Sequence, residues 1–242
     1  MTKGDTPKLL HDAMQQNTYD IDVITKHLKL PWLKLDLDFG EWSDDDVSHL
    51  QSIDDWRTKW QFPDGNRNSY QVKNWNGKIL FGPKDFARFL DLSKEQEHDH
   101  DEDSKCRKFR KQLDYGWYEQ SAIKEKINKI LPDNDINLVN SYVLPAGGYV
   151  FPHRDYAIDD MGLAKIYIAV RWGQGNVFGQ YGCGNMPVKQ GDVFLVNNYT
   201  LPHWVFNGSD SERIVLDISA NLHSPKIKNS IIKSFKKGFY DS

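Results

Sequence analysis

The chain has 242 residues, enough for one sizeable domain. Hydrophobic residues make up 39% of it and include 8 Trp, 11 Tyr and 12 Phe, so the chain can form a packed core. With 34 acidic and 31 basic residues, the net charge of −3 gives no electrostatic basis for binding nucleic acid or an anionic membrane. The sequence contains no signal-peptide or membrane-spanning apolar run, and Cys106 and Cys183 lack metal-binding spacing. We therefore expect a cytoplasmic protein with free thiols.

The first half of the chain predicts helices with one strand among them. Two weakly amphipathic stretches between residues 7 and 28 predict short helices, and the alternation of apolar and polar residues in Leu33–Phe39 predicts a strand. Further helices are predicted at Pro83–Leu92 and at Tyr118–Leu131, which is followed by a Pro-Asp-Asn turn. Residues 40–80 carry no clear pattern.

The segment of residues 93–105 is strongly charged and has no aliphatic residue. His98 and His100 lie among its acidic residues, a composition that can bind metal. No apolar residues surround these histidines to order them, so we interpret the segment as a solvated loop or helix end.

From residue 136 onward the chain predicts a series of short strands separated by Gly, Pro and Asn clusters. This pattern predicts a mainly β fold with flanking helices, a double-stranded β-helix (cupin-like jelly roll). Residues 1–135 would form a helical and strand buttress of the same domain, 136–223 the core, and 224–242 a C-terminal helix or tail. The predicted strands are Asn137–Val143, Tyr149–Asp155, Lys165–Arg171, Asp192–Val196, His203–Phe206 and Arg213–Ser219.

Three residues in this half form a candidate metal site. His153 and Asp155 are two residues apart in a predicted strand, so their side chains point to the same face. His203 lies at the start of another predicted strand. Two histidines and one carboxylate that leave one side of the metal open suit Fe(II), which must bind a co-substrate and O₂ together. The alternative is a surface His-Arg-Asp turn, because the H-x-D pattern also occurs by chance.

The strand Arg213–Ser219 places Arg213, Val215, Asp217 and Ser219 on one face. A guanidinium that points into a barrel needs an anionic partner, because burying it unpaired is costly. The distal carboxylate of 2-oxoglutarate is one such partner, and Asp217 on the same face is the alternative. In the strand Lys165–Arg171, the residues Lys165, Tyr167 and Arg171 share a face that either lines the pocket or contacts water.

The stretch from 138 to 223 resembles the aspartyl/asparaginyl β-hydroxylase family of 2-oxoglutarate oxygenases, which includes bacterial free-proline hydroxylases. The matching residues are Ser141, Pro145–His153, Gly191-Asp192, Asn198, His203–Asn207 and Arg213–Asp217. Asp155 is present, as in the proline hydroxylases, although some members lack this carboxylate. The family often has Arg-x-His on the strand where this chain has Lys165-x-Tyr167, and lysine keeps the charge without the planar fork.

The resemblance implies an Fe(II)- and 2-oxoglutarate-dependent dioxygenase that uses O₂, with ascorbate as reductant, to hydroxylate a small amino acid or a peptidyl side chain. His153, Asp155 and His203 would be catalytic metal ligands. Arg213, Ser141 and Lys165 would bind 2-oxoglutarate.

Arg171 and Tyr167 would bind substrate. If Lys165 and Arg171 both face inward, a cation beyond the one that 2-oxoglutarate uses remains to be paired, which favours a substrate with a carboxylate. If they lie at the barrel rim, they need no partner. The alternative functions are a cupin-like metal-dependent isomerase and a non-catalytic small-molecule-binding barrel, neither of which needs Arg213. The sequence leaves the oligomeric state open.

Overall fold

The structure is a computed structural model that describes residues 30–52, 72–73, 76–81, 121–154, 163–198 and 201–240. The helices predicted before residue 29 and at Pro83–Leu92, the acidic segment and Asp155 lie outside these residues. Cys183 is an exposed free thiol. Among the described helices, none is long and apolar enough to cross a membrane.

The described residues form eleven strands and three α-helices, with a short 3-10 turn at Asp133–Asp135. The helices are α1 (Asp44–Ser52), α2 (Ala122–Ile130) and α3 (Pro225–Tyr240). Before the core lie β1 (Trp32–Lys34), β2 (Val72–Lys73) and β3 (Asn76–Phe81). The core strands are β4 (Ile136–Leu144), β5 (Tyr149–His153), β6 (Leu163–Arg171), β7 (Asn176–Gln180), β8 (Gly184–Asn185), β9 (Val193–Val196), β10 (His203–Asn207) and β11 (Arg213–Asn221).

The strands form two antiparallel sheets of a jelly roll, which confirms the predicted fold class. The first sheet has the order β1-β9-β6-β11-β4-β3 and the second the order β2-β5-β10-β7-β8. From β4 to β11 the chain passes back and forth between the two sheets, with β7 and β8 together in the second. Every pairing is antiparallel. This alternation defines a double-stranded β-helix, the cupin-like architecture.

Two hydrophobic clusters separate the inside of the barrel from its helical cover. The outer cluster lies between the first sheet and the helices, and includes Ile214, Leu216 and Ile218 of β11 with Leu50, Ile127 and Ile231 of the helices. The inner cluster lies between the two sheets and includes Tyr167, Phe178, Phe194, Val205 and Val215. Alternate residues of β11 therefore face the helices and the barrel interior, as the sequence pattern predicts.

Helix α1 is fixed at its start by a reciprocal capping arrangement. The backbone N–H of Ser43 donates to the Asp46 carboxylate at 2.8 Å, and the N–H of Asp46 donates to the Ser43 hydroxyl at 3.2 Å. Lys126 of α2 also contacts that carboxylate, at 2.5 Å, and so links the two helices over the outer cluster. Burial raises the pKa of Asp46, but hydrogen bonds from Lys126 and Ser43 outweigh this effect, so the pKa is lowered.

The strand predicted at Leu33–Phe39 is only Trp32–Lys34, so that prediction is wrong in its extent. Strands β7 and β8 lie outside the predicted strands. In β7, Gly179 is opposite Trp204 of β10, and a Cβ on it would come within 2.2 Å of the Trp204 ring. Glycine is therefore needed here for the close approach of the indole to the backbone.

Candidate functional site

Arg213 lies at the start of β11 and is buried on the inner face of the barrel. One of its terminal nitrogens donates a hydrogen bond to the Tyr167 hydroxyl. The guanidinium also lies over the Trp172 ring, 4.8 Å from its centroid. An aromatic cage from β6 and the residue after it therefore holds the guanidinium in place.

The described residues give Arg213 no carboxylate partner. Its Nε is buried without a hydrogen-bond acceptor in the described part of the chain. Burial lowers the pKa of Arg213 from its usual range to about 9. A bound anion would stabilise this desolvated cation and accept a hydrogen bond from its unused donor.

A β-bulge in β6 determines that Trp172, and not Arg171, faces Arg213. Opposite β11, Ala169 pairs with Val215, but the next pair is Arg171 with Ile214, so β6 contains one extra residue at Val170. Arg171 thereby lies beside Ile214 on the helix-facing side, where its guanidinium is 3.9 Å from Asp44. The prediction that Arg171 shares a face with Lys165 and Tyr167 is wrong.

Asp217 is not the partner of Arg213. Its carboxylate forms an ion pair with the Lys165 ammonium at 3.0 Å, and both side chains are largely buried. Lys165 is on the inner face, one of the two orientations that its sequence leaves open, and its charge is balanced by a protein carboxylate. Lys165 is predicted to bind 2-oxoglutarate, but its positive charge already has a counter-ion in Asp217.

The two predicted histidine ligands are direct neighbours on adjacent strands. His153, the last residue of β5, pairs with His203, the first residue of β10. Paired residues of an antiparallel ladder occupy the same face with Cβ atoms about 5 Å apart, a separation that one metal ion can bridge. His203 is buried and faces inward with Val205. Among the described residues no group of three or more metal-ligating side chains occurs, and the third predicted ligand, Asp155, lies outside them.

A series of ring contacts connects the histidine end of the barrel with Arg213. The His203 ring stacks on Phe178 with centroids 5.5 Å apart and an interplanar angle of 8°. Phe178 in turn meets Tyr167 edge-on, with centroids at 5.2 Å. Phe206 is on the outer face of β10 and exposed. Phe178, and not Phe206, therefore packs against the His203 ring inside the barrel.

Ser141 is on the wrong face for its predicted role. In the ladder between β4 and β11 it pairs with Leu216, and both neighbouring residues of its face, Val139 and Val143, belong to the outer cluster. Its hydroxyl is buried and has no hydrogen-bond partner among the described residues. The residue of β4 that shares the inner face with Arg213 and Asp217 is Asn140, which pairs directly with Asp217.

Sequence reasoning missed four residues of this inner surface. They are Asn140, Trp172, Phe178 and Gln180. Gln180 ends β7 and pairs with His203. Phe178 and Gln180 alternate with Val177 and Gly179, and this alternation could have predicted a strand. Gly179 obscured the pattern because glycine is unusual inside a strand. Trp172 had no such signal, because only the bulge turns it inward.

The residues present fit a mononuclear metal centre. The imidazole of His203 is buried, His153 occupies the paired position on the neighbouring strand, and histidine nitrogen is a donor that iron and other transition metals bind. Asp155, two residues after His153 in the sequence, would add a carboxylate.

No protein-family model matches the chain, and no curated protein matches it. Solved structures that resemble it include a prolyl-4-hydroxylase from Pseudomonas putida, 11% identical, covering 84% of this chain and 97% of the other with a TM-score of 0.38. A predicted oxalate decarboxylase from Thermotoga maritima is 27% identical over 37% of this chain and 70% of the other, with a TM-score of 0.28. The non-heme monooxygenase ThoJ is 17% identical over 43% of this chain and 52% of its own, with a TM-score of 0.29. Because these scores are low, the fold is assigned from strand order and register alone.

Proposed function

We propose that this protein is an Fe(II)- and 2-oxoglutarate-dependent dioxygenase that hydroxylates a small amino acid or a peptidyl side chain. The observation that carries the proposal is the buried Arg213 guanidinium, which has no carboxylate partner among the described residues and lies on the same inner surface as His203. A jelly roll that held only a metal would have no reason to bury this cation.

Arg213 would bind the distal carboxylate of 2-oxoglutarate. Its Nε and terminal nitrogens form a fork suited to two parallel hydrogen bonds with a carboxylate. Tyr167 accepts a hydrogen bond from the guanidinium and Trp172 covers it, so both residues position it. The other end of the co-substrate would extend past Tyr167 and Phe178 toward His203.

His153, Asp155 and His203 would hold the metal. Iron bound there supplies the oxidative chemistry, in which 2-oxoglutarate and O₂ are converted to succinate and CO₂ while one oxygen atom hydroxylates a substrate C–H bond. Phe178 and Val205 are apolar and buried beside His203, so they would exclude water from this end of the barrel.

A succinate-release screen with Fe(II), ascorbate and a panel of amino acids and peptides tests the reaction. We expect turnover for at least one compound, and its loss in His153→Ala and His203→Ala. Mn(II) titration in the absence of O₂ should show one site per chain that both variants lose. Full metal binding by His203→Ala would contradict the assignment of the site.

A cupin-like isomerase or a non-catalytic binding barrel is the alternative. Both share the jelly roll and can share the histidines. Calorimetric titration with 2-oxoglutarate separates them from the oxygenase, since neither uses a dicarboxylate co-substrate at Arg213.

A further inference from the structure

Gln180 brings an unused hydrogen-bond acceptor to the histidine end of the barrel. It pairs with His203 in the ladder between β7 and β10 and is completely buried. Its Nε2 donates to the backbone oxygen of Asn197 at 3.0 Å and to Oδ1 of Asn198 at 3.5 Å. These acceptors fix the orientation of the amide, and they leave Oε1 buried without a donor in the described part of the chain.

Asn140 presents a second unused acceptor from the opposite sheet. It is buried on the inner face of β4, directly across from Asp217. Its Oδ1 has no donor among the described residues. Buried amide oxygens in folded proteins almost always accept a hydrogen bond, so each of these two is an acceptor that a ligand N–H could satisfy.

The cations of the inner surface give no comparable reason to bind a substrate anion. Lys165 is balanced by Asp217, and Arg171 lies on the helix-facing side. Arg213 is assigned to the co-substrate. Among the described residues, the unmatched buried amide atoms of the inner surface are then Gln180 Oε1, Asn140 Oδ1 and both amide atoms of Asn176, and Gln180 is the residue that pairs with His203. The charge count that favoured a substrate carboxylate rested on Arg171 facing inward, so it no longer applies.

We infer that the substrate is recognised through an amine, one N–H of which donates to Gln180 Oε1 beside His203, with Asn140 Oδ1 as a further acceptor on the inner face of the opposite sheet. The inference rests on the proposed function, since it names the substrate class for that same site. A pocket built to accept a hydrogen bond discriminates strongly against an analogue that lacks the donor, because the buried oxygen is then left unpaired.

Matched ligand pairs test this inference. The full chain, loaded with Mn(II) and 2-oxoglutarate without O₂, is titrated with free amino acids and with acids of the same skeleton lacking the amine, such as L-proline against cyclopentanecarboxylate and L-leucine against 4-methylpentanoate. We expect at least one amine to bind about tenfold or more tightly than its partner acid. In Gln180→Met, which keeps the length of the side chain and removes the acceptor, this ratio should fall toward one.

Two further variants complete the design. Gln180→Glu keeps an acceptor oxygen and should keep the preference for amines. Gln174→Met makes the same substitution at an exposed turn residue and should leave the ratio unchanged. If Gln180→Met alters Mn(II) binding but not the preference for amines, the donor is metal-bound water and the substrate assignment is overturned.

The result also separates this inference from the proposed function. Binding of 2-oxoglutarate without any preference for amines would overturn the inference and leave the oxygenase intact. A Gln180-dependent preference for amines in a protein that does not bind 2-oxoglutarate would uphold the amine site and overturn the oxygenase.

Discussion

Replacing Arg213 with methionine should weaken 2-oxoglutarate binding while leaving the stability of the free protein nearly unchanged. Methionine keeps much of the volume of the side chain and removes its charge. The opposed expectations for binding and stability arise because Arg213 is desolvated in the free protein and has no carboxylate partner among the described residues. A structural ion pair would behave differently, since breaking one inside a protein destabilises the fold by about 3–5 kcal/mol.

The magnitude follows from the surroundings of the guanidinium. Burial lowers its pKa from the usual range to about 9, which corresponds to roughly 5 kcal/mol of unfavourable desolvation. The substitution relieves this cost but loses the hydrogen bond to Tyr167, worth about 1.5–3 kcal/mol, and the contact with Trp172, worth about 2 kcal/mol. The two sides nearly cancel. We therefore expect the melting temperature of the free protein to change by no more than about 4 °C.

Binding of 2-oxoglutarate should show a large effect. Loss of a buried charge-assisted interaction costs about 2–5 kcal/mol, so the dissociation constant should rise at least ~30-fold. Calorimetric titration of the Mn(II)-loaded protein measures it, and thermal unfolding with and without ligand measures stability. A fall of more than about 10 °C in the melting temperature of the free variant, with 2-oxoglutarate affinity retained, would return Arg213 to a structural role.

Three further predictions follow from the same surfaces. Binding of 2-oxoglutarate should be constant from about pH 7 to about 9 and weaken roughly tenfold per pH unit above that, because the ligand needs the charged guanidinium of Arg213. Affinity that stays constant up to about pH 10.5 would contradict this. Lys165→Met removes the counter-ion of Asp217 and should lower the free energy of unfolding, measured with denaturant, by about 3 kcal/mol. The double variant with Asp217→Leu should recover most of this loss. Additive losses in the two single variants would rule out the ion pair as the cause. Gly179→Ala places a Cβ against the Trp204 ring and should lower the free energy of unfolding by about 1–3 kcal/mol in the same assay. Gly182→Ala is the control: its added Cβ meets nothing within 4 Å, so it measures the cost of a positive φ alone.

The sequence by itself determined the class of fold and which residues of one strand share a face. Alternation in Arg213–Ser219 placed Arg213 and Asp217 together, and turn residues separated the strands of the core. These features are local, because the side-chain period of two belongs to the extended backbone itself. His153 and His203 pair on neighbouring strands, whereas Asp155 lies outside the described residues, so the three-ligand metal site stays a prediction.

Only the tertiary structure decided which faces meet and which charges pair. Ser141 shares its face with Val139 and Val143, and the register with β11 turned that face toward the helices. One extra residue in β6 moved Arg171 out and Trp172 in, and Asp217 took Lys165 as its partner. Register and bulges depend on pairing between distant strands, and a shift of one residue exchanges the two faces. Periodicity within a single strand therefore cannot fix them.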